Sequence, residues 1–473
     1  MRVLSVAAEA YPLVKTGGLA DVVGALPGAL AAQGMEATTL IPGYPAVAPA
    51  VKGGKVVHKW AELMGAPARL IAGTIAGHPL LVLDAPPLFA REGGIYGHDD
   101  DWRRFAALSR AAADLAGGKV KGRRYDILHA HDWQAAMAAA YLRYDRTDGV
   151  RSVVTIHNIA FQGAFGADIF PGLGLPDDAF ALDGVEYYGG VGFLKAGLEA
   201  ADAITTVSPT YATEIRDAQY GMGLEGLIAA RGNRVHGIVN GIDPAVWNPE
   251  QDGSLPSRYT ARTLGRRNTN KRAVEKAFAL DTDPGPLFTV ISRLTWQKGM
   301  DILVGCLDAL VAMGGRLALL GSGDTELEAA FSAAAARHPG RIGIRIGYDE
   351  PLSHLLQGGA DAILIPSRFE PCGLTQLYGL AYGCVPVVAR TGGLADTVID
   401  ANEAALAAGV ATGFQHGEVS NAALTHAIER ACDAFRRDEI WGTIQKNGMR
   451  ADFSWGISGR RYAELYIELM DTA

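Results

Sequence analysis

Two cations five residues apart open the chemistry of this chain. Arg293 and Lys298 lie in S-R-L-T-W-Q-K-G-M-D, residues 292–301, directly after the apolar run LFTVIS. On a strand-to-helix turn both can point at one diphosphate, the arginine as a planar fork and the lysine as a point charge. Pairing with surface carboxylates is the inert alternative. A second constellation is I-P-S-R-F-E-P-C-G-L-T at 365–375. Glu370 sits there on a proline-flanked turn and can accept hydrogen bonds from hydroxyl groups. Cys372, Gly373, Leu374 and Thr375 then open a helix, whose first N–H groups suit a phosphate. The third is K-T-G-G-L-A-D, in which Lys15 precedes Gly17 and Gly18 at the start of an apolar helical pattern. Paired glycines let backbone N–H groups come close to a ligand. Six of these residues, Thr16–Asp21, recur unchanged as Thr391–Asp396. Two such loops predict two α/β domains sharing one anionic ligand, with use in packing alone as the alternative.

The elements that must hold these residues are legible as alternating short β-rich runs and helical patterns. Strands are expected at 2–8, 37–41, 69–75, 79–83, 125–130, 151–156, 203–207 and 235–239, with helices at 102–116, 133–144 and 208–218. A second series of strands is expected at 287–292, 316–320, 342–346, 361–365, 385–389 and 408–412. Such alternation predicts parallel sheets joined by right-handed crossovers. Proline, glycine and aspartate cluster at 244–257 and 281–286, so 242–286 is expected as an inter-domain connection. It separates an N-terminal domain, 1–241, from a C-terminal domain, 287–453. The amphipathic end, 454–473, is expected as a helix packing back on the first domain. Seven cations between Arg258 and Lys276 are expected on a solvated helical face. Ligands of open α/β sheets sit at the carboxyl ends of strands. Polar residues fall there in both halves, His131-Asp132-Trp133, His157-Asn158, Asn240, Arg293 and Glu370 among them, which predicts a cleft between the domains.

Composition removes several function classes. The chain has 473 residues, 49% hydrophobic and 20% charged, with 59 glycines and a net charge of −8. That balance argues against nucleic acid or an anionic membrane as partner. Four scattered cysteines without C-x-x-C fit a reducing cytoplasm. The N-terminal run is interrupted by Glu9, too early for a signal or membrane segment. Asp99-Asp100-Asp101 is expected as a helix cap and solvated turn, not as a metal site.

Read together, K-T-G-G-L, H-A-H-D-W, T-I-H-N, N-G-I-D, S-R-L-x-x-Q-K-G and F-E-P-C-G-L-T, in this order, resemble the bacterial glycogen synthase and plant starch synthase family. The resemblance runs from residue 1 to the C-terminal helix. It implies the GT-B architecture, two facing Rossmann-like domains with a cleft between them. It also implies transfer of glucose from ADP-glucose to the non-reducing end of an α-1,4-glucan with retention of configuration. On that resemblance, Lys15, Gly17 and Gly18 lie against the donor phosphates, and Arg293 and Lys298 neutralise the departing diphosphate. His157 and Asn240 hold the glucose, Glu370 meets its hydroxyls, and the Cys372–Thr375 loop lies beneath the phosphates. Tyr348 neighbours the adenine. Asp21, Tyr96, Asp132, Gln134 and Asn158 match further donor or acceptor positions. ADP-glucose, ADP and α-1,4-glucan are the implied partners, with neither metal nor other cofactor.

Cleaving a glycosyl–diphosphate bond concentrates negative charge on the departing oxygen, which preorganised cations stabilise. Several retaining GT-B enzymes carry a second glutamate eight residues after the first, but here that position is Tyr378. Front-face attack, with the leaving phosphate taking the acceptor's proton, is therefore expected in place of a covalent intermediate. A dinucleotide-dependent dehydrogenase is disfavoured, because Gly321-Ser322-Gly323 is followed by Glu326 where a third glycine belongs. A non-enzymatic sugar-binding protein would have little use for Arg293 and Lys298. A GT-B transferase using UDP-glucose or a small acceptor is the nearer alternative.

Overall fold

The computed structural model describes residues 1–472, so residue 473 of the expected C-terminal helix lies outside the described residues. The chain divides into two compact units: Met1–Gly241 with the helix Trp455–Asp471, and Ile242–Ser454.

Unit 1 is built on a nine-stranded sheet. Its strands are β1 Arg2–Val6, β2 Glu36–Pro42, β3 Val56–Leu63, β4 Ala66–Ile75, β5 His78–Asp84, β6 Ile127–His131 and β7 Arg151–Ile156. The minor strands β8 Ala164–Phe165, β9 Glu186–Tyr187 and β10 Gly190–Gly192 form a separate antiparallel sheet; β11 Ala203–Thr206 and β12 Val235–Gly237 return to the first. Across the main sheet the order is β12-β11-β7-β6-β1-β2-β5-β4-β3. All pairings from β12 to β5 are parallel, but β5–β4 and β4–β3 are antiparallel. The expectation of parallel sheets alone is corrected at this edge. Two-residue turns, Gly65 and Gly77 among them with φ of +71° and +81°, join adjacent strands without a crossover helix.

The helix Gly18–Ala31 buries Leu19, Val22, Val23, Leu26 and Leu30, the spacing of one apolar face. Against it packs the C-terminal helix through Tyr462 and Tyr466. A Cβ on Gly459 would stand 2.7 Å from the Ala29 Cβ, so only glycine admits that approach.

Unit 2 carries six parallel strands: β13 Leu287–Ile291, β14 Arg316–Gly321, β15 Ile342–Ile346, β16 Ala362–Ile365, β17 Val385–Ala389 and β18 Phe414–His416, in the order β15-β14-β13-β16-β17-β18. Alternate residues go to opposite faces. Phe288, Val290, Leu317 and Leu319 enter one apolar cluster, whereas Leu287, Ala318 and Leu320 enter another. Burial on both faces explains why these strands are near-continuous apolar runs. The last strand falls at 414–416, not 408–412. Gly409 ends the preceding helix at φ +68°, and Val410 is exposed.

Residues 242–286 are built into unit 2 rather than standing apart from it. Trp247 lies stacked between His354 (ring centroids 3.9 Å apart) and Tyr378 (3.6 Å). The cations expected on a solvated face are partly buried: Arg267 donates to Tyr259 Oη at 2.7 Å and to the Tyr382 and Ala360 carbonyls, and Lys271 pairs with Asp361 at 2.7 Å. They fasten this segment to the strand-and-helix core.

Candidate active site

In unit 2 the turn after β13 places Lys298 beside Glu370, which sits on the loop after β16. Lys298 Nζ donates to Glu370 Oε2 at 2.5 Å, and Ser367 Oγ donates to the same oxygen at 2.9 Å. Lys298 is thus paired with a carboxylate, and that carboxylate is another candidate site residue. Gly299 holds the turn at φ +68°, where a Cβ would meet the Pro366 carbonyl oxygen at 1.9 Å. Arg293 is exposed, and its side chain has no hydrogen-bond or ion-pair partner among the described residues. Backbone packing fixes the neighbouring loops. Leu294 N donates to Ser322 O at 2.9 Å, and a Cβ on Gly323 would lie 2.2 Å from Leu294 O. Gly321-Ser322-Gly323 is therefore a contact with the 292–294 turn.

Glu370 is buried, and its main chain is braced from below. Gly393 N donates to Glu370 O (3.1 Å) and Pro371 O (3.2 Å), and Gly392 has φ +43° with its Cβ position 1.9 Å from Glu370 O. Cys372 and Gly373 form the turn into the helix Thr375–Tyr382, with Leu374 just before it. Gln376 Nε2 donates to both Cys372 O (2.9 Å) and Gly373 O (3.0 Å). Tyr378, eight residues after Glu370, stacks on Trp247 and is a packing residue. Tyr348 stands 79% exposed on the loop after β15, its hydroxyl donating to Glu350 at 2.7 Å.

In unit 1 the loop after β1 is organised by Glu9, which in the sequence merely interrupts an apolar run. Glu9, 2% exposed, accepts from Thr16 N, Thr16 Oγ1 (2.7 Å) and Tyr96 Oη (2.5 Å). Burial and then the Glu9 charge drive the Tyr96 phenol far above its usual pKa. Beyond Thr16, Gly17 is exposed with no heavy atom within 4 Å of its Cβ position. Neither Gly17 nor Gly18 has an acceptor for its N–H among the described residues. Lys15 pairs with Asp21 at 2.7 Å and lies over the Tyr11 ring.

The carboxyl ends of β6 and β7 carry the other cluster. Asp132, at φ +56°, accepts His157 N at 2.7 Å. Burial lifts its carboxyl to about 7, against the pull of the His157 and Asn158 N–H groups. His157 is buried, which lowers its pKa to about 3. His131 Nδ1 lies 3.0 Å from His157 Nε2, and Ser5 Oγ 3.1 Å from His131 Nε2. Asn158 Oδ1 accepts from Ala160 N. Of the candidate sugar and acceptor residues here, Asn240 and Gln134 each bury a side-chain oxygen, Oδ1 and Oε1, that meets no donor among the described residues. Trp133, next to Asp132, is core, with Phe105, Phe165 and Phe193 ringing it at centroid distances of 5.0–6.3 Å.

The aspartate run is neither a cap nor wholly solvated. Asp100 pairs with Arg91 at 2.5 Å and Asp101, 6% exposed, with Arg104 at 2.5 Å; neither side chain caps the helix. Among the described residues no group of three or more His, Cys, Asp or Glu could hold a metal ion. No helix among them is long and apolar enough to cross a membrane.

Known proteins match this chain along its length. Residues 2–230 fit the family described as starch synthase catalytic domain, and residues 272–435 the family described as glycosyl transferases group 1. The glycogen synthase of Novosphingobium aromaticivorans is 64% identical over 99% of both chains. That of Mesorhizobium japonicum is 62% identical over 98% of each. The catalytic domain of starch synthase IV from Arabidopsis thaliana, solved bound to ADP and acarbose, superposes with a TM-score of 0.88 at 32% identity over 99% of both chains.

Proposed function

The chain belongs to the glycogen synthase and starch synthase family of GT-B glycosyltransferases, and on that premise we propose how its residues divide the reaction. The enzyme is a glycogen synthase: it transfers glucose from ADP-glucose to the non-reducing end of an α-1,4-glucan, with the α configuration kept. ADP-glucose and the glucan are its partners, no metal or cofactor takes part, and the reduced cytoplasm is its place of action. Four free, buried cysteines are in keeping with that compartment.

The observation that carries the assignment of roles is the Lys298–Glu370–Ser367 cluster at the mouth of the Thr375–Tyr382 helix. Lys298 and the unpartnered Arg293 neutralise the diphosphate as its bond to glucose breaks. Backbone N–H groups of Gly373–Thr375 add the helix's partial positive charge. Glu370 accepts hydrogen bonds from glucose hydroxyls and holds Lys298 in place until the anion arrives. Tyr348 offers its exposed ring to the adenine. In unit 1, Lys15 and the open N–H groups of Gly17 and Gly18 take phosphate oxygens, with Asp21 and the Glu9–Tyr96 pair setting the loop. His157, kept neutral, and Asn240, with its unmet acceptor, bind the sugar. Asp132 fixes the His157–Asn158 backbone, and Gln134 lies on the acceptor side.

The test incubates the protein with radiolabelled ADP-glucose or UDP-glucose plus glycogen and counts polymer. Label from ADP-glucose is expected. Incorporation from UDP-glucose alone would overturn the donor, and none from either would overturn the reaction.

A further inference from the structure

At the carboxyl ends of three adjacent strands, three buried side chains are joined in series. Ser5 on β1 meets His131 on β6 at 3.1 Å, and His131 meets His157, just after β7, at 3.0 Å. Ser5 and His131 are 0% exposed. A chain of this kind admits two proton arrangements. In the first, Ser5 donates to His131 Nε2, His131 Nδ1–H donates to His157 Nε2, and His157 carries its own proton on Nδ1. In the second every bond is reversed, and Ser5 becomes an acceptor. Among the described residues the Ser5 hydroxyl has no other hydrogen-bond partner, so the reversed chain would bury its proton without an acceptor, an expensive state. The first arrangement pairs the Ser5 and His131 protons and leaves only the His157 Nδ1–H, at the open end of the chain, for a ligand or solvent.

We propose that His131 is a positioning residue, which with Ser5 fixes His157 as the Nδ1–H tautomer and so as a hydrogen-bond donor toward substrate. His157 Nδ1 has no protein partner among the described residues, so it is the atom left to meet a ligand. Asp132 holds the same residue through its backbone N–H, which leaves the ring to His131. The groups packed around the pair favour neutral rings. His129 packs against His131 with ring centroids 4.1 Å apart and the planes tilted by 37°, and is itself bonded to Thr155 and Tyr466. Burial keeps His131 and His157 far below the ordinary imidazole pKa, so the two tautomers, not two charge states, are the alternatives at neutral pH. As a donor, His157 would bind a sugar oxygen and could not accept a hydroxyl proton at that atom.

This inference rests on the reading of His157 as a sugar ligand, and one experiment separates the two. Protein labelled with ¹⁵N-histidine is observed by long-range ¹H–¹⁵N correlation, and kcat and KM for ADP-glucose are measured on the same samples. The native chain should show His157 as a single Nδ1–H tautomer. Ser5→Ala and His131→Leu should each convert it to a mixture and lower kcat about tenfold or more. His131→Asn, whose amide nitrogen can take the place of Nδ1 as donor, should restore both tautomer and rate. An Nε2–H tautomer in the native chain, or one unchanged by both Ser5→Ala and His131→Leu, would overturn the proposal while leaving the sugar contact intact. A tautomer that shifts as expected with kcat unchanged would keep the relay and overturn the sugar contact.

Discussion

Replacing Lys298 by alanine should damage turnover and stability by separable amounts. Its ammonium lies 2.5 Å from Glu370 Oε2, and the two side chains are 17% and 9% exposed. As one preorganised charge facing the leaving diphosphate, Lys298 is expected to supply about 2.7–4 kcal/mol of transition-state stabilisation, a fall of about 10²–10³ in kcat when lost. The folded state also loses a partner for a buried carboxylate. Ser367 still donates to the same oxygen at 2.9 Å, so the stability cost is that of one missing bond, about 1–3 kcal/mol. For a unit of this size that lowers the melting temperature by about 2–4 °C per kcal/mol. Initial rates with saturating ADP-glucose and glycogen, taken well below the lowered melting point, isolate the first effect, and calorimetry the second. Adding Glu370→Gln to Lys298→Ala removes the uncompensated charge and should recover melting temperature without recovering kcat. A kcat within threefold of the unaltered enzyme would remove Lys298 from the chemistry. A normal rate together with a lowered melting point would leave the ion pair purely structural.

The two glycine pairs should respond oppositely. Gly392→Ala forces a side chain onto Glu370 O at φ +43° and should cost about 2 kcal/mol or more, seen as a clear drop in melting temperature; an unchanged midpoint would refute the bracing role. Gly17→Ala meets open space in extended backbone, at φ −159°, and should leave the melting temperature unchanged while raising KM for the donor. Glu9→Gln removes the charged acceptor of the Thr16 and Tyr96 bonds and should speed amide hydrogen exchange over residues 15–18. Exchange as slow as in the native chain would deny Glu9 that role. Acid should destabilise the fold from about pH 6.5 downward. The unfolded chain takes up protons near the ordinary histidine value, which His129 and His157 refuse until about 3. Each therefore contributes a loss of about 1.4 kcal/mol per pH unit across that window. Asp132 runs the other way: its folded carboxyl keeps a proton up to about 7, so its contribution fades as pH rises through 7. Two histidines outweigh one aspartate, so urea midpoints should fall between pH 6 and 4, and a flat profile would contradict the burial of neutral rings.

The parallel strands were legible because they are buried on both faces, which leaves uninterrupted apolar runs such as LFTVI and VPVVA. The strand Val56–Leu63 was not. It is the edge of the sheet, and His58, Lys59, Trp60 and Glu62 break its apolar pattern at half-buried and exposed positions. Motif residues such as Arg293, Lys298 and Glu370 stood out by type and spacing, but their partners did not. Ser367 and Glu9 gain meaning only when distant loops meet, as Glu9 does with Tyr96 across 87 residues. Likewise the cations from Arg258 to Lys276 read as solvated because sequence carries no sign of the carbonyls at Tyr382 and Ala360 that take up Arg267.

The duplicated T-G-G-L-A-D shows why a glycine pair cannot be given a role from its own sequence. In both copies the glycines begin a helix after a strand, yet their N–H groups meet different fates. Gly393 has already given its N–H to Glu370 O and Pro371 O, and a Cβ there would lie 2.1 Å from Cys372 O. That N–H is not left for a ligand, and the copy serves as the floor under the Glu370 turn. Gly17 and Gly18, just beyond the Thr16–Glu9 bonds, face solvent with no acceptor for either N–H among the described residues. A backbone donor already satisfied by protein gains little from an anion, whereas an open one beside a helix N-terminus gains a charge-assisted bond. On the proposed reading the first copy is the one that meets phosphate, whereas the second holds the Glu370 turn, where Lys298 reaches the carboxylate.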